Sequence, residues 1–173
     1  DVVDISLRES DMILISGGSS VGVKDMTARV INETGRPGVL FHGVSLKPGK
    51  PTIGGVINDI PVFGLPGHPA AVMVCFDIFI RPVLKMQSGE NEGRPDERRR
   101  TVQARIAKNI SSGGGREGHI GVSLEGRNGE LWAVPLLGKS GLITILTKAD
   151  GTAMIPLRKL GVKEGDMVEV RIF

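Results

Sequence analysis

Residues 11–25 read DMILISGGSSVGVKD. The stretch joins a short apolar run, Asp11 to Ser16, to a glycine-rich turn and then to a helical pattern from Lys24 to Gly35. An apolar run this short, bounded by glycine, suits a strand buried on both faces, the kind found in parallel sheets. Gly35 suits a helix C-terminus. Strand, turn and helix make the first half of a β-α-β unit and point to an α/β class.

On the N-terminal side, residues 1–9 (DVVDISLRE) read as the end of a helix feeding that strand. On the C-terminal side, Val39 to Leu46 is a possible strand followed by a Pro/Gly loop, and Pro61 to Leu65 is a second apolar strand. Pro69 to Met86 reads as a long helix, apolar nearly all round and so expected to be largely buried. These elements predict an α/β domain over 1–90 with a largely parallel sheet. Residues 91–100 (NEGRPDERRR), polar and charged, read as a linker. Beyond it the pattern has period two. Candidate strands are Thr101–Lys108, Ile120–Leu124, Leu131–Leu137, Leu142–Leu146, Ala153–Leu157 and Met167–Ile172. Turns are expected at Gly113–Gly115, Asn128-Gly129, Asp150-Gly151 and Glu164–Asp166, so 101–173 reads as a small antiparallel β-barrel domain.

Composition excludes several functions. One cysteine in 173 residues excludes a disulfide framework and a cysteine-rich zinc site. Five Phe, one Trp and no Tyr argue against a stacking platform for single-stranded nucleic acid. No apolar run approaches the 18 residues or so of a membrane span. Residues 1–90 carry eight Lys/Arg against nine Asp/Glu, and 91–173 carry fourteen against ten. That excess is too weak for duplex DNA and suits a small anionic ligand. A cytoplasmic globular protein with no nucleic-acid or membrane partner is the expectation.

Three loops could carry chemistry. Gly17-Gly18-Ser19-Ser20-Val21-Gly22 lies between the first strand and its helix, where backbone N–H groups and the helix dipole favour an anion. A plain strand-to-helix turn explains the same spacing. Asp25, three residues on, is either a helix N-cap or a carboxylate at the strand's C-terminal edge, placed to hold Mg²⁺ or to position an oxyanion substrate. Lys47-Pro48-Gly49-Lys50-Pro51 puts two cations on a proline-stiffened loop. Leu65-Pro66-Gly67-His68-Pro69 opens the long helix, with Pro69 suited to its first turn. Cys75 reads as a buried thiol, and His42 and His119 have no metal-ligand spacing.

Taken in this order, GGSSVG with its following acidic residue, KPGKP and LPGHP resemble the molybdopterin molybdotransferases, the MoeA and gephyrin E-domain family. The second half is similar to that family's last domain in its Gly115-Arg116-Glu117 turn, Lys139-Ser140-Gly141 element and closing EGDMVEV strand. The resemblance implies a partial MogA-like molybdopterin-binding domain followed by a complete barrel domain, part of a longer chain that acts as a homodimer. It implies insertion of molybdate into adenylylated molybdopterin with release of AMP, assisted by Mg²⁺. It assigns Asp25, Lys47 and Lys50 to catalysis and Asp25 to the metal. It assigns Gly17, Gly18, Ser20, Gly22, Pro66, Gly67, His68 and Pro69, with Arg116 and Ser140 from the last domain, to cofactor binding. His68 stands where the family often has Asn, which leaves tungstate as an alternative to molybdate. The competing class is a non-catalytic pterin- or oxyanion-binding module serving as scaffold or sensor.

Overall fold

A computed structural model describes residues 2–16, 24–90, 100–136 and 147–173. The elements run α1 (Val2–Glu9), β1 (Ile13–Ser16), α2 (Lys24–Thr34), β2 (Pro37–His42), β3 (Leu46–Lys47), β4 (Ile53–Ile57), β5 (Ile60–Leu65) and α3 (Pro69–Cys75). A π-helical turn, Phe76–Ile80, leads into α4 (Arg81–Gln87). Then come β6 (Thr101–Ile106), β7 (Ile110–Ser111), β8 (Glu117–Arg127), β9 (Glu130–Pro135), β10 (Gly151–Ile155), β11 (Gly161–Val162) and β12 (Met167–Ile172). The chain forms two units: Asp1–Val44 with Gly49–Ile80, and Ser45–Pro48 with Arg81–Phe173. The linker expected at 91–100 lies, but for Arg100, outside the described residues.

The first unit is α/β. Its sheet runs β1-β5-β4-β2. The expected largely parallel sheet is corrected in detail: β1–β5 is parallel, whereas β5–β4 and β4–β2 are antiparallel. The cause is local. Asn58 and Asp59 both take positive φ (47° and 71°) and close a two-residue hairpin between Ile57 and Ile60, which forces antiparallel pairing.

Strand β4 occupies the segment read as a Pro/Gly loop. Glycine at 54 and 55 is a packing requirement here. A Cβ at Gly54 would run into the Phe41 ring, and one at Gly55 would lie 2.7 Å from the Gly38 carbonyl oxygen and 2.9 Å from Ile31 Cγ2. A bulge in β2 between Val39 and Phe41 leaves Leu40 exposed and sets Phe41 opposite Gly54. Ile13, Ile31, Ile53, Ile57 and Val62 form the core between α2 and the sheet.

The helix expected over 69–86 runs without a gap from Pro69 to Gln87 and carries a π turn at Phe76–Ile80, but it is not buried along its length. Ala71, Val74, Cys75 and Ile80 are buried, but α4 carries no buried residue and Met86 is largely exposed. The π turn shifts the helical phase, so one continuous buried face is not sustained.

The second unit is a barrel. Strands β10, β12, β6, β9 and β8 pair in that order, and β8 pairs again with β10, closing a five-stranded ring. Four of the five pairings are antiparallel and β6–β9 is parallel. Ile106, Val122, Ala133, Ile155 and Val170 are among its buried core. Asn128-Gly129 turns β8 into β9 with φ of 49° and 80°. Asp150-Gly151, expected as a hairpin turn, instead opens β10. A Cβ on Gly151 would collide with the Arg171 carbonyl, and the Asp150 carboxylate accepts from Leu124 N–H at 2.7 Å. The strand expected at 142–146 lies outside the described residues.

Candidate functional site

Strand register brings the ends of β1, β5 and β2 and the start of β4 to one edge of the α/β sheet. Ser16, the last residue of β1, pairs with Leu65, the last of β5. The chain therefore enters the glycine segment and the Pro66–Pro69 loop from neighbouring strand ends. On the next strand, Gly64 pairs with Ile53, the first residue of β4. The Lys50 turn thus leads into the sheet at the same edge. His42, the last residue of β2, pairs with Ile53 and extends the row. Helices α2 and α3 both follow parallel strands β1 and β5, so their N-termini stand beyond that edge. This is where ligands of open α/β sheets bind, and the two helix ends add partial positive charge.

The Lys50 turn is held tightly. Gly49 is buried with φ 125°, a conformation that favours glycine. Val44 N–H donates to the Lys50 carbonyl at 2.9 Å, and Gly43 N–H donates to the Thr52 carbonyl at 2.8 Å. Thr52, fully buried, donates through its hydroxyl to the Gly49 carbonyl at 2.7 Å and through its N–H at 3.1 Å. Its Oγ1 also lies 3.0 Å from Cys75 Sγ on α3. Burial pushes the Cys75 thiol above its ordinary pKa, against a smaller lowering by the Thr52 hydrogen bond. The Lys50 side chain is exposed.

The helix-opening loop combines a rigid base with a presented side chain. Pro66 is buried, while Gly67 and His68 are exposed. His68 is extended (φ −91°, ψ 123°) and stands at the N-cap of α3, with Pro69 at the start of the helix. Its carbonyl accepts from Ala71 N–H at 2.9 Å and Val72 N–H at 3.0 Å, but its ring makes no capping bond. The ring is therefore not used by the helix. A Cβ on Gly67 would meet nothing within 4 Å, so a ligand has open space there.

Lys47 belongs to the other unit. Strand β3 pairs in parallel with β8, Leu46 opposite Glu117 and Lys47 opposite Gly118, and Glu117 N–H donates to the Ser45 carbonyl at 2.8 Å. Arg116, half-buried, immediately precedes that pairing. Two expected cations, Lys47 and Arg116, are thereby brought onto neighbouring chain segments. Beside them His119 is buried, its Nε2 2.7 Å from Glu117 Oε1. Two predicted lysines thus part company: Lys50 goes with the α/β unit and Lys47 with the barrel. Gly17, Gly18, Ser20, Gly22 and Ser140 lie outside the described residues; Asp25 is in the first turn of α2, its side chain likewise outside.

Among the described residues, no group of three His, Cys, Asp or Glu side chains could hold a metal, and no helix is long and apolar enough to cross a membrane. Sequence reasoning missed Thr52, which directly follows the Lys47–Pro51 motif but lies outside it, and the β3–β8 pairing, which spans some 70 residues between two short segments.

Residues 1–86 match a family model described as "Probable molybdopterin binding domain", and residues 103–173 match one described as "MoeA C-terminal region (domain IV)". The chain belongs to the MoeA family. It is 35% identical over 168 residues to a protein of Methanocaldococcus jannaschii named for molybdopterin biosynthesis, covering 97% of this chain and 38% of that one. It is 28% identical over 166 residues to the molybdopterin molybdenumtransferase of Bacillus subtilis, covering 95% of this chain and 37% of that one. The crystal structure of a molybdopterin biosynthesis MoeA protein from Pyrococcus horikoshii superposes with a TM-score of 0.79 at 36% identity, covering 99% of this chain and 39% of that one. This MoeA-family chain therefore spans about two fifths of the length of these curated relatives.

Proposed function

We propose that this chain is the part of a molybdenum-inserting transferase that holds the anionic substrates: adenylylated molybdopterin, and molybdate. The reaction would leave molybdenum on the dithiolene and release AMP. The observation that supports this reading is the row Ser16–Leu65 and Gly64–Ile53–His42, which puts the end of β1, the strand end before the His68 loop and the strand start after the Lys50 turn along one sheet edge.

The chemistry asks little of acid–base groups. Molybdate and a phosphate-linked pterin repel each other, so the protein's task is to hold both in one place against that repulsion. Lys50 supplies charge from a turn pinned on both sides, and Lys47 supplies it from β3. His68 donates from a helix start that makes no use of its ring. Pro66 and Pro69 fix the shape of that loop, and Gly67 leaves the ligand room. In this reading Gly17, Gly18, Ser20 and Gly22 wrap the phosphate region, Asp25 lies at the metal or molybdate site, and Arg116 and Ser140 serve from the last domain of the dimer partner.

In this reading Asp25 would hold Mg²⁺, which would assist the departure of AMP; the Asp25 side chain lies outside the described residues. A cytoplasmic homodimer completes the reading, and light scattering tests its size.

Calorimetric titration of AMP into the intact protein tests the binding half of the account. Binding that weakens by about tenfold or more on Lys50→Ala supports it. A protein that binds no AMP contradicts it.

A further inference from the structure

The Lys50 turn and helix α3 are linked by a short chain of donors. Thr52 Oγ1 lies 2.7 Å from the Gly49 carbonyl oxygen and 3.0 Å from Cys75 Sγ. A hydroxyl carries one proton. With that proton committed to the Gly49 carbonyl, the thiol is left to donate to Thr52 Oγ1. Both Thr52 and Cys75 are fully buried, so neither group can exchange its partner for water. The direction of donation is therefore set: Cys75 S–H to Thr52 O–H to Gly49 carbonyl.

That chain bears on the residue next to Gly49. The Gly49 carbonyl takes two bonds from Thr52, and the Lys50 carbonyl takes one from Val44 N–H. The backbone on both sides of the Lys50 Cα is fixed, while its ammonium is left at the surface. The other end of the chain is anchored on α3, the helix that begins just after His68.

We propose that Thr52 is a positioning residue for Lys50, fixing the Gly49–Pro51 turn against α3 through the Cys75–Thr52–Gly49 hydrogen-bond chain. The assignment rests on the proposed anion-binding role of Lys50. Cys75 has a structural part in it, as the donor that saturates the Thr52 oxygen.

Thr52→Val keeps the shape and removes the hydroxyl. In the intact protein, with AMP as the probe, it is expected to weaken binding by about tenfold, the value of one buried hydrogen bond. Thr52→Ser is expected to restore affinity to within about twofold. In a Lys50→Ala background, Thr52→Val is expected to cost less than about twofold, because the two residues then act as one unit. An equal loss in both backgrounds, or no loss in either, overturns the proposal.

Hydrogen exchange of the ligand-free protein reads the turn independently of binding. The amides of Gly49, Lys50 and Thr52 should exchange faster in Thr52→Val than in the parent. Unchanged exchange overturns the positioning role even where AMP binds normally. Absence of AMP binding in the parent defeats the anion-site reading instead, and the exchange result alone then decides what Thr52 does. Should Thr52→Val fail to fold, Cys75→Ala carries the same exchange test, with faster exchange at these amides expected and unchanged exchange overturning it.

Discussion

The two units spend their polar groups in opposite ways. In the barrel, polar side chains at the turns are committed to backbone. Asp150 accepts from Leu124 N–H, Asp166 from Lys163 N–H at 2.9 Å, and Asn109 from Glu164 N–H at 2.8 Å. At the edge of the α/β sheet, the backbone is fixed by backbone and by the buried Thr52, while Lys50 and His68 are left exposed. A turn that consumes its own polar side chains stabilises a fold. A turn stabilised from beneath keeps its surface groups for a ligand. Glycine divides along a related line: Gly54 and Gly55 are flat spots in a crowded core, whereas Gly67 and Gly129 have nothing within 4 Å of an added Cβ.

The largest effect should come from the crowded core. Gly54→Val drives a side chain into the Phe41 ring and is expected to destabilise by about 3 kcal/mol or more, measured by urea denaturation. A loss under about 1 kcal/mol would mean that the two kinds of glycine are not distinct.

Asp150→Ala leaves Leu124 N–H without its carboxylate acceptor and should cost about 1 kcal/mol of stability without changing AMP affinity. A large change in binding would show that the barrel's turn residues are not purely structural. Gly129→Ala, at φ 80° but in open space, should also cost about 1 kcal/mol through backbone strain alone. His68→Ala should leave stability within about 0.5 kcal/mol, since the ring caps nothing, and weaken AMP binding several-fold.

The smallest effect concerns pH. With its thiol raised by burial, Cys75 stays protonated in the fold at a pH where an unfolded thiol ionises. Its contribution to stability is present at neutral pH and falls as pH rises past the ordinary thiol range. Native protein should react slowly with a thiol reagent at pH 8 and rapidly in denaturant.

Much of this is legible in the sequence. The strand–glycine–helix stretch at 11–34 placed the α/β class, and Asn128-Gly129 placed a hairpin, because both signals are local. Strand β4 was hidden because Ile53-Gly54-Gly55 has the composition of a loop, and the need for glycine comes from Phe41 and Ile31 on other elements. Asp150-Gly151 misled for the same reason: its glycine answers to Arg171 across the sheet, not to a turn. The separation of Lys47 from Lys50 depends on a two-residue pairing with β8 that no local pattern announces. Of the candidate site, the motif residues were legible by type. The support beneath them, Thr52 and Cys75, was not, since its meaning lies in a contact across 23 residues.

In the proposed function Lys47 and Lys50 serve an anion site and not the fold. Its most direct test is the Lys47→Ala/Lys50→Ala variant of the intact protein, expressed in cells lacking their own molybdenumtransferase, with nitrate reductase maturation as the readout. An unchanged melting temperature and a fall in maturation of roughly 100-fold or more are expected. Normal maturation by the folded double variant would contradict that role.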